Sequence, residues 1–375
     1  MNRNPIADII NSQWNHILNE YNSHKIRTLA AVKNCRTPAM GGSLYVCTSC
    51  KKYHKRYHSC RNRHCPQCQN TQKMQWAEKR QEQLIDTQYF HVVFTIPEQF
   101  NGLFLGYSRQ LYKLLFDSTW EVLNQFGWTH KYLGAQIGAT MVLHTWGSNM
   151  SFHPHIHCIV PGGGVSFQNK WKEVKTGNKF LFPVKAMSLV FRAVFMKRFY
   201  AFCRGNGLDD IDDLVKSVYR KSWVVYAKPP FGGSKGVINY LARYTHKIAM
   251  TNQRIISYDE ETVTFSYTDY KHKNQKKVMP LSTKEFIRRF AQHILPKRFV
   301  RIRHYGMLSS SYRKILFPKK KKSPKVDWME FWKKKGLDVL QCPACEKGRL
   351  RHLSDFRPKR GPPKKITSRQ ITKAT

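Results

Sequence analysis

Acidic residues are scarce in this 375-residue chain: Asp and Glu number 23 against 65 Lys and Arg, a formal net charge of +42. Solubility requires far less, so the unneutralised excess implies a polyanionic partner. The cations run along the whole chain instead of forming one tail, which suits a protein that tracks a phosphate backbone over an extended surface. Also missing is any run of about 18 uncharged apolar residues, so no membrane-spanning helix is expected. The opening stretch MNRNPIADIINSQWNHIL alternates polar and apolar residues without a continuous apolar core and is not read as a secretory signal. No internal repeat is visible. A disulfide framework is absent as well: the ten cysteines sit mainly in CxxC pairs, a usage that points to metal binding in a reducing compartment.

What remains is enough to fold. Hydrophobic residues make up 41%, with 22 Phe, 18 Tyr and 9 Trp, so the chain can bury a core and still spare rings to stack on unpaired bases. That separates it from histones and ribosomal proteins, which would share the charge.

Residues 1–40 read as helical, with Ile6, Ile9, Ile10, Trp14 and Ile17 near three-and-four spacing. Residues 41–70 crowd CTSC, RYHSC and RHCPQC into a span too short for a hydrophobic core, so a metal must organise it. A polar helix is expected over 71–88 and a strand over 89–97, followed by a Leu-rich helical region. GATMVLHTWG (138–147) and HIHCIVPGGG (155–164) read as two strands joined by the polar turn Ser148 to Pro154. Helices are expected over 185–205 and 210–220, a loop over KPPFGGSKG (228–236), a helix over VINYLARYTHKIA, and a hairpin-like run over 256–270. Residues 280–316 are basic and mixed, CPAC forms a late knuckle within 339–348, and the last twenty or so residues read as a disordered basic tail. The division that follows is an amino-terminal helical and zinc-binding module (1–88), a main domain (89–316) and a basic carboxy-terminal region (317–375).

Cys47 and Cys50 form one knuckle, and Cys65 and Cys68 another after fourteen intervening residues, a spacing close to a zinc ribbon in which four thiolates close a tetrahedral Zn2+ site. Such a site leaves no open position for water, so its role is structural. His54, His58, Cys60 and His64 lie between the knuckles and could build a second site, replace one ligand, or serve as supporting or DNA-contacting groups. Arg61 and Arg63 are candidate DNA contacts beside these ligands. Cys342 and Cys345 supply half a site, with His352 as a possible further ligand.

His155 and His157 alternate along a presumed strand, so both imidazoles project from one face and can share a divalent ion. If the turn is centred between Asn149 and Met150, His144 faces His155 and completes a three-His cluster with open coordination positions. Mg2+ or Mn2+ is the expected ion where phosphate oxygens complete the shell. Tyr240 and Tyr244 stand four apart on the expected helix, hence on one face, accompanied by Arg243, His246 and Lys247. Two tyrosines at that spacing can simply pack into a core. They can also attack a phosphodiester, once a metal polarises the phosphate and cations stabilise the developing charge.

The blocks CTSC…RHCPQCQ, FHVVFTIP, LHTWGSNMSFHPHIHCIVPGGG, YLARYTHKIAMTN, RHYGMLSSSYR and the late CPAC together resemble the insertion sequence 91 family of HUH transposases, over most of the chain. The resemblance implies an α+β fold: a central antiparallel sheet of the HUH-nuclease, ferredoxin-like type with flanking helices, preceded by a small zinc-binding module. It implies that His155 and His157 are the metal-binding pair and that Tyr240 and Tyr244 are nucleophiles; Arg243 and Lys247, beside the tyrosines, are candidate DNA contacts read from their charge. The implied activity is nicking of single-stranded DNA at element ends and transfer of the strand through a 5′-phosphotyrosine, in the bacterial cytoplasm at the nucleoid. His144 remains a geometric inference. A relaxase or rolling-circle replication initiator would share this chemistry, and a noncatalytic zinc-dependent regulator would share the charge and the knuckles. The oligomeric state is not legible.

Overall fold

Helical periodicity at the amino end yields three short helices in the computed structural model, which describes residues 4–68, 73–74, 84–176, 180–231, 248–270, 272–312 and 327–358. They are Pro5–Ser12 (α1), Trp14–Glu20 (α2) and Ser23–Lys33 (α3), the last capped by the Asn22 side chain, which accepts from the Lys25 N–H at 3.0 Å. Two strands follow, Gly42–Cys47 (β1) and Tyr53–Tyr57 (β2), paired antiparallel.

Alternation then builds the centre. Tyr89–Thr95 (β3), Gly138–Trp146 (β4) and Phe152–Pro161 (β5) are the middle strands of a five-stranded antiparallel sheet. Phe90, Val92 and Phe94 on β3, Ala139, Met141 and Leu143 on β4, and Ile156, Cys158 and Val160 on β5 all belong to the largest core. Helices Asn101–Gly106 (α4), Ser108–Trp128 (α5), Val184–Gly205 (α6) and Asp212–Tyr219 (α7) contribute to the same core through Phe104, Phe116, Phe191, Phe195, Phe199 and Val218. Each fully buried Phe contributes about 1.5–3 kcal/mol of transfer free energy. The residues between these, on the opposite face, include His91, Val142, His144, His155 and His157. A small hairpin, Gly163–Val165 (β6) with Trp171–Glu173 (β7), sits beyond β5.

The first departure from expectation is at KPPF. Read from sequence as the start of a loop, it ends the strand Val224–Phe231 (β8), which pairs antiparallel with β3 at the sheet edge. Two features let prolines occupy it. An edge strand need not donate every N–H, and the register shifts between Tyr89 and His91, so Pro229 and Pro230 fall at the irregularity.

A second layer consists of Ile255–Tyr258 (β9), Thr262–Asp269 (β10) and Gln275–Ser282 (β11), followed by Thr283–Gln292 (α8), whose first turn is capped by Ser282. Val263, Phe265, Phe286, Ile287 and Phe290 share one core with Ile6, Ile9, Ile10, Ile17, Leu29 and Val32 of the amino-terminal helices. Ile302–Gly306 (β12) closes the other edge of the main sheet against β4. At its end Gly306 has φ +56°, and a Cβ there would lie 2.0 Å from the Ile137 carbonyl oxygen, so only glycine fits. Trp328–Lys334 (α9) and Leu350–Phe356 (β13) complete the described chain. β13 does not stand apart. It pairs with β1, giving a three-stranded sheet in the order β13–β1–β2. Residues 6–32 thus share a core with residues 250–294, and residues 342–356 pair and pack with β1 near the amino end. Among the described residues no helix is long and apolar enough to cross a membrane.

Candidate functional site

The register of β4 on β5 places His144 directly opposite His155, as a turn centred at 149–150 requires. The pairing then shifts, with Trp146 facing Phe152, so the two residues His153 and Pro154 oppose Thr145 alone. β5 thus starts at Phe152, three residues earlier than expected, and the ring nitrogens of His153 stay out of the cluster, although its ring lies 5.2 Å from that of His155. Burial holds the His153 imidazole below its ordinary pKa, with Glu98 opposing the shift.

His144, His155 and His157 bring one ring nitrogen each to within 4.8 Å of the others. The Nε2 atoms of His155 and His157 are 3.1 Å apart. Cis positions of an octahedron with metal–nitrogen bonds of about 2.1 Å are separated by about 3.0 Å, and tetrahedral positions by about 3.4 Å. The His155 Nδ1 lies 2.6 Å from the His153 carbonyl oxygen and must donate to it, which leaves Nε2 with its lone pair facing the cluster. His144 is buried, and its ring is stacked on Trp146 at 4.6 Å.

Sequence reasoning passed over one more histidine. His91 on β3 is only 2% exposed, and its Nε2 lies 2.8 Å from His157 Nδ1, the two rings nearly parallel. With an ion at Nε2, His157 carries its proton on Nδ1 and donates to His91. That contact fixes both tautomer and ring plane. Its only signal in sequence is a histidine inside the otherwise apolar strand YFHVVFT. Among the described residues no carboxylate joins the three ring nitrogens. Neutral imidazoles would leave a bound dication its full charge, and three ligands leave coordination positions open to phosphate oxygens.

Tyr240, Tyr244, Arg243, His246 and Lys247 lie outside the described residues. The chain reappears at Ile248, which lines one small cavity with Ala249, His64, Trp146, Phe290, His293 and Arg301. Trp146 is the residue on which His144 stacks.

The cysteines assemble differently from the expected ribbon. Cys47 and Cys50 do not meet Cys65 and Cys68. Cys65 and Cys68 instead join Cys35 and Cys60, and Cys47 and Cys50 join Cys342 and Cys345. The reason is topological: Cys47 ends β1, whose other neighbour β13 brings in the CPAC turn, whereas Cys35 follows α3 and packs with Cys65 and Cys68 against the helical core. In the first set, Sγ separations from Cys68 are 3.6 Å to Cys35 and 3.7 Å to Cys60, close to the roughly 3.8 Å edge of a tetrahedron with 2.3 Å zinc–sulfur bonds.

The intervening histidines are not in either set. His64 Nε2 accepts from the Leu295 N–H at 3.4 Å, and burial holds its ring well below the ordinary pKa. The His58 backbone carbonyl accepts from Arg36 N–H, and His54 Nε2 sits 3.4 Å from Cys342 Sγ. His352 bonds Asp355 at 3.0 Å instead of completing the CPAC site. Arg63, expected at DNA, directs its guanidinium to the carbonyls of Pro296 and Phe299, while Arg61 is exposed.

Comparison with known proteins bears on this geometry. A family model described as "Transposase zinc-binding domain" matches residues 9–96, and one described as "Putative transposase" matches residues 138–314, the span holding all three histidines. The chain is 38% identical over 364 residues to "Putative transposase y4qJ" of Sinorhizobium fredii, covering 90% of this chain and 91% of that one. The chain belongs to the insertion sequence 91 family of transposases. This transposase is also 27% identical over 320 residues to the "Transposase for insertion sequence element IS801" of Pseudomonas savastanoi pv. phaseolicola, covering 80% of this chain and 74% of that one. No solved structure gives a significant match to it.

Proposed function

We propose that this transposase acts by a rolling-circle mechanism on single-stranded DNA, with His144, His155 and His157 holding one Mg2+ or Mn2+ ion. The convergence of three ring nitrogens on one face of the central sheet carries the reading. The ion supplies Lewis acidity at the scissile phosphate. His153 and His91 orient two of the ligands through their Nδ1 atoms. A phenol from Tyr240 or Tyr244 attacks phosphorus, forming the Tyr–O–P bond as the bond to the 3′ oxygen breaks. That oxygen takes up a proton to become a free 3′-hydroxyl. One phosphodiester replaces another, so rejoining needs no ATP. A second tyrosine one helical turn away can cleave the next strand while the first remains attached. Tyr240 and Tyr244 enter this reading on the family resemblance of the YLARYTH block.

The Cys35, Cys60, Cys65 and Cys68 thiolates fit a structural Zn2+, since four sulfurs close the coordination sphere and leave no position for water. The basic surface attracts DNA independently of the metal at the histidines. Replacing His155 or His157 with alanine is therefore expected to abolish cleavage of an oligonucleotide from the element end while leaving its binding nearly intact. Equal loss of both would instead mean that these histidines hold up the fold.

A further inference from the structure

We propose that Cys47, Cys50, Cys342 and Cys345 form a second structural zinc centre, assembled from the two ends of the chain, which clamps residues 342–356 onto the amino-terminal module. The four sulfurs lie within 4.8 Å of one another, with Cys47 to Cys345 at 3.6 Å and Cys50 to Cys342 at 3.8 Å. Those separations match the roughly 3.8 Å sulfur–sulfur edge of a tetrahedral zinc thiolate site and are far from the roughly 2.05 Å of a disulfide.

Both knuckles carry the backbone geometry that thiolate ligands need. Ser49 and Cys50 N–H groups point at Cys47 Sγ, each at 3.4 Å, and Gly348 N–H points at Cys345 Sγ at 3.4 Å. The approach at Gly348 is so close that a Cβ there would sit 2.4 Å from Cys47 Sγ and 2.6 Å from Ser49 Cβ. Backbone pairing of β1 with β13 and the bond from Thr48 N–H to the Arg349 carbonyl at 2.9 Å also join the two segments, but the apolar contribution is small. Leu350 is the one non-cysteine buried in this cluster, so apolar burial alone is a weak glue.

The site closes a long loop. Cys50 and Cys342 are 292 residues apart, and a metal clip across such a separation removes much of the freedom of the carboxy-terminal segment. Closure also fixes the pairing of β13 with β1, from Gly42 opposite Phe356 to Cys47 opposite Leu350. Exposed Lys51, Lys52 and Lys55 from one end of the chain and Arg349 and Arg351 from the other then share one small sheet module.

The clamp is independent of the zinc assigned to the Cys35 set, and zinc analysis of the full chain separates them. The reduced protein is expected to hold two zinc equivalents. Cys342→Ser with Cys345→Ser should reduce this by one, and so should Gly348→Val, which keeps every ligand but intrudes on Cys47. A zinc content unchanged by these substitutions overturns the clamp, as does stoichiometric iron in place of zinc. Wild-type protein gives a test that needs no variant. Native thiol alkylation read by peptide mass spectrometry should find partly exposed Cys50 and Cys345 protected until a chelator is added. Alkylation at free-thiol rates before chelation, or a disulfide among these four, contradicts the proposal.

Discussion

Replacing His91 with leucine should weaken binding of Mn2+ at the three-histidine cluster by 10- to 100-fold, although His91 itself does not reach the ion. His157 would keep its Nε2 in place only by chance, because its Nδ1 loses the partner held at 2.8 Å in a buried setting. Outer partners of metal-bound histidines typically govern metal affinity by that factor, or about 1.4–2.7 kcal/mol. An unsatisfied buried N–H adds about 1–3 kcal/mol to the cost of folding. Glutamine at position 91 can present an acceptor oxygen near the place of Nε2, so His91→Gln should recover much of the affinity. The assay is calorimetric titration of Mn2+ into the chain, alongside strand cleavage as a function of Mn2+ concentration. The leucine variant should shift the metal requirement more than the rate at saturating metal. Unchanged Mn2+ affinity in a folded leucine variant, or glutamine no better than leucine, would refute the positioning role.

Burial depresses the His293 imidazole to about 4, against an ordinary 6.5, with its Nε2 facing the Met150 carbonyl and its Nδ1 the Thr145 hydroxyl. Between those pH values the unfolded chain binds more protons, so stability falls as pH drops from 6.5 towards 4, by roughly 3 kcal/mol at most. Denaturant midpoints across pH 4–8 should show this slope reduced in His293→Gln; identical slopes would contradict it. Arg63→Ala removes a donor from the Pro296 and Phe299 carbonyls and should cost about 1–3 kcal/mol of stability with little loss of DNA affinity. Weakened DNA binding at unchanged stability would return Arg63 to the DNA surface.

Legibility from sequence followed the range of the signal. The hairpin was readable because period-two alternation and a short turn fix register locally, and His144 opposite His155 comes from that arithmetic. His91 was not, since its partner is 66 residues away and a single histidine in an apolar strand has no periodic signature. The knuckles were visible as CxxC pairs, but the pairing of knuckles depends on which strand neighbours β1. Cys35 and Cys60 lack a CxxC partner, so spacing did not single them out. Counting gives a partial clue: once Cys158 and Cys203 are assigned to the main core, the other eight cysteines divide into two sets of four. KPPF misled because prolines argue against a strand only where every N–H must donate. The segment 280–316 looked featureless because charged residues interrupt its apolar positions, although Phe286, Ile287 and Phe290 form a buried stripe on α8.

Covalent chemistry at tyrosine is the central claim, and one measurement addresses it directly. The transposase is incubated with a single-stranded oligonucleotide from the element end in Mn2+, and the DNA-linked peptide is mapped by mass spectrometry. The account predicts a 5′-phosphotyrosine at Tyr240 or Tyr244, reduced but present when either is replaced by phenylalanine and absent when both are. A linkage at any other residue, or an undiminished adduct in the double variant, would contradict it.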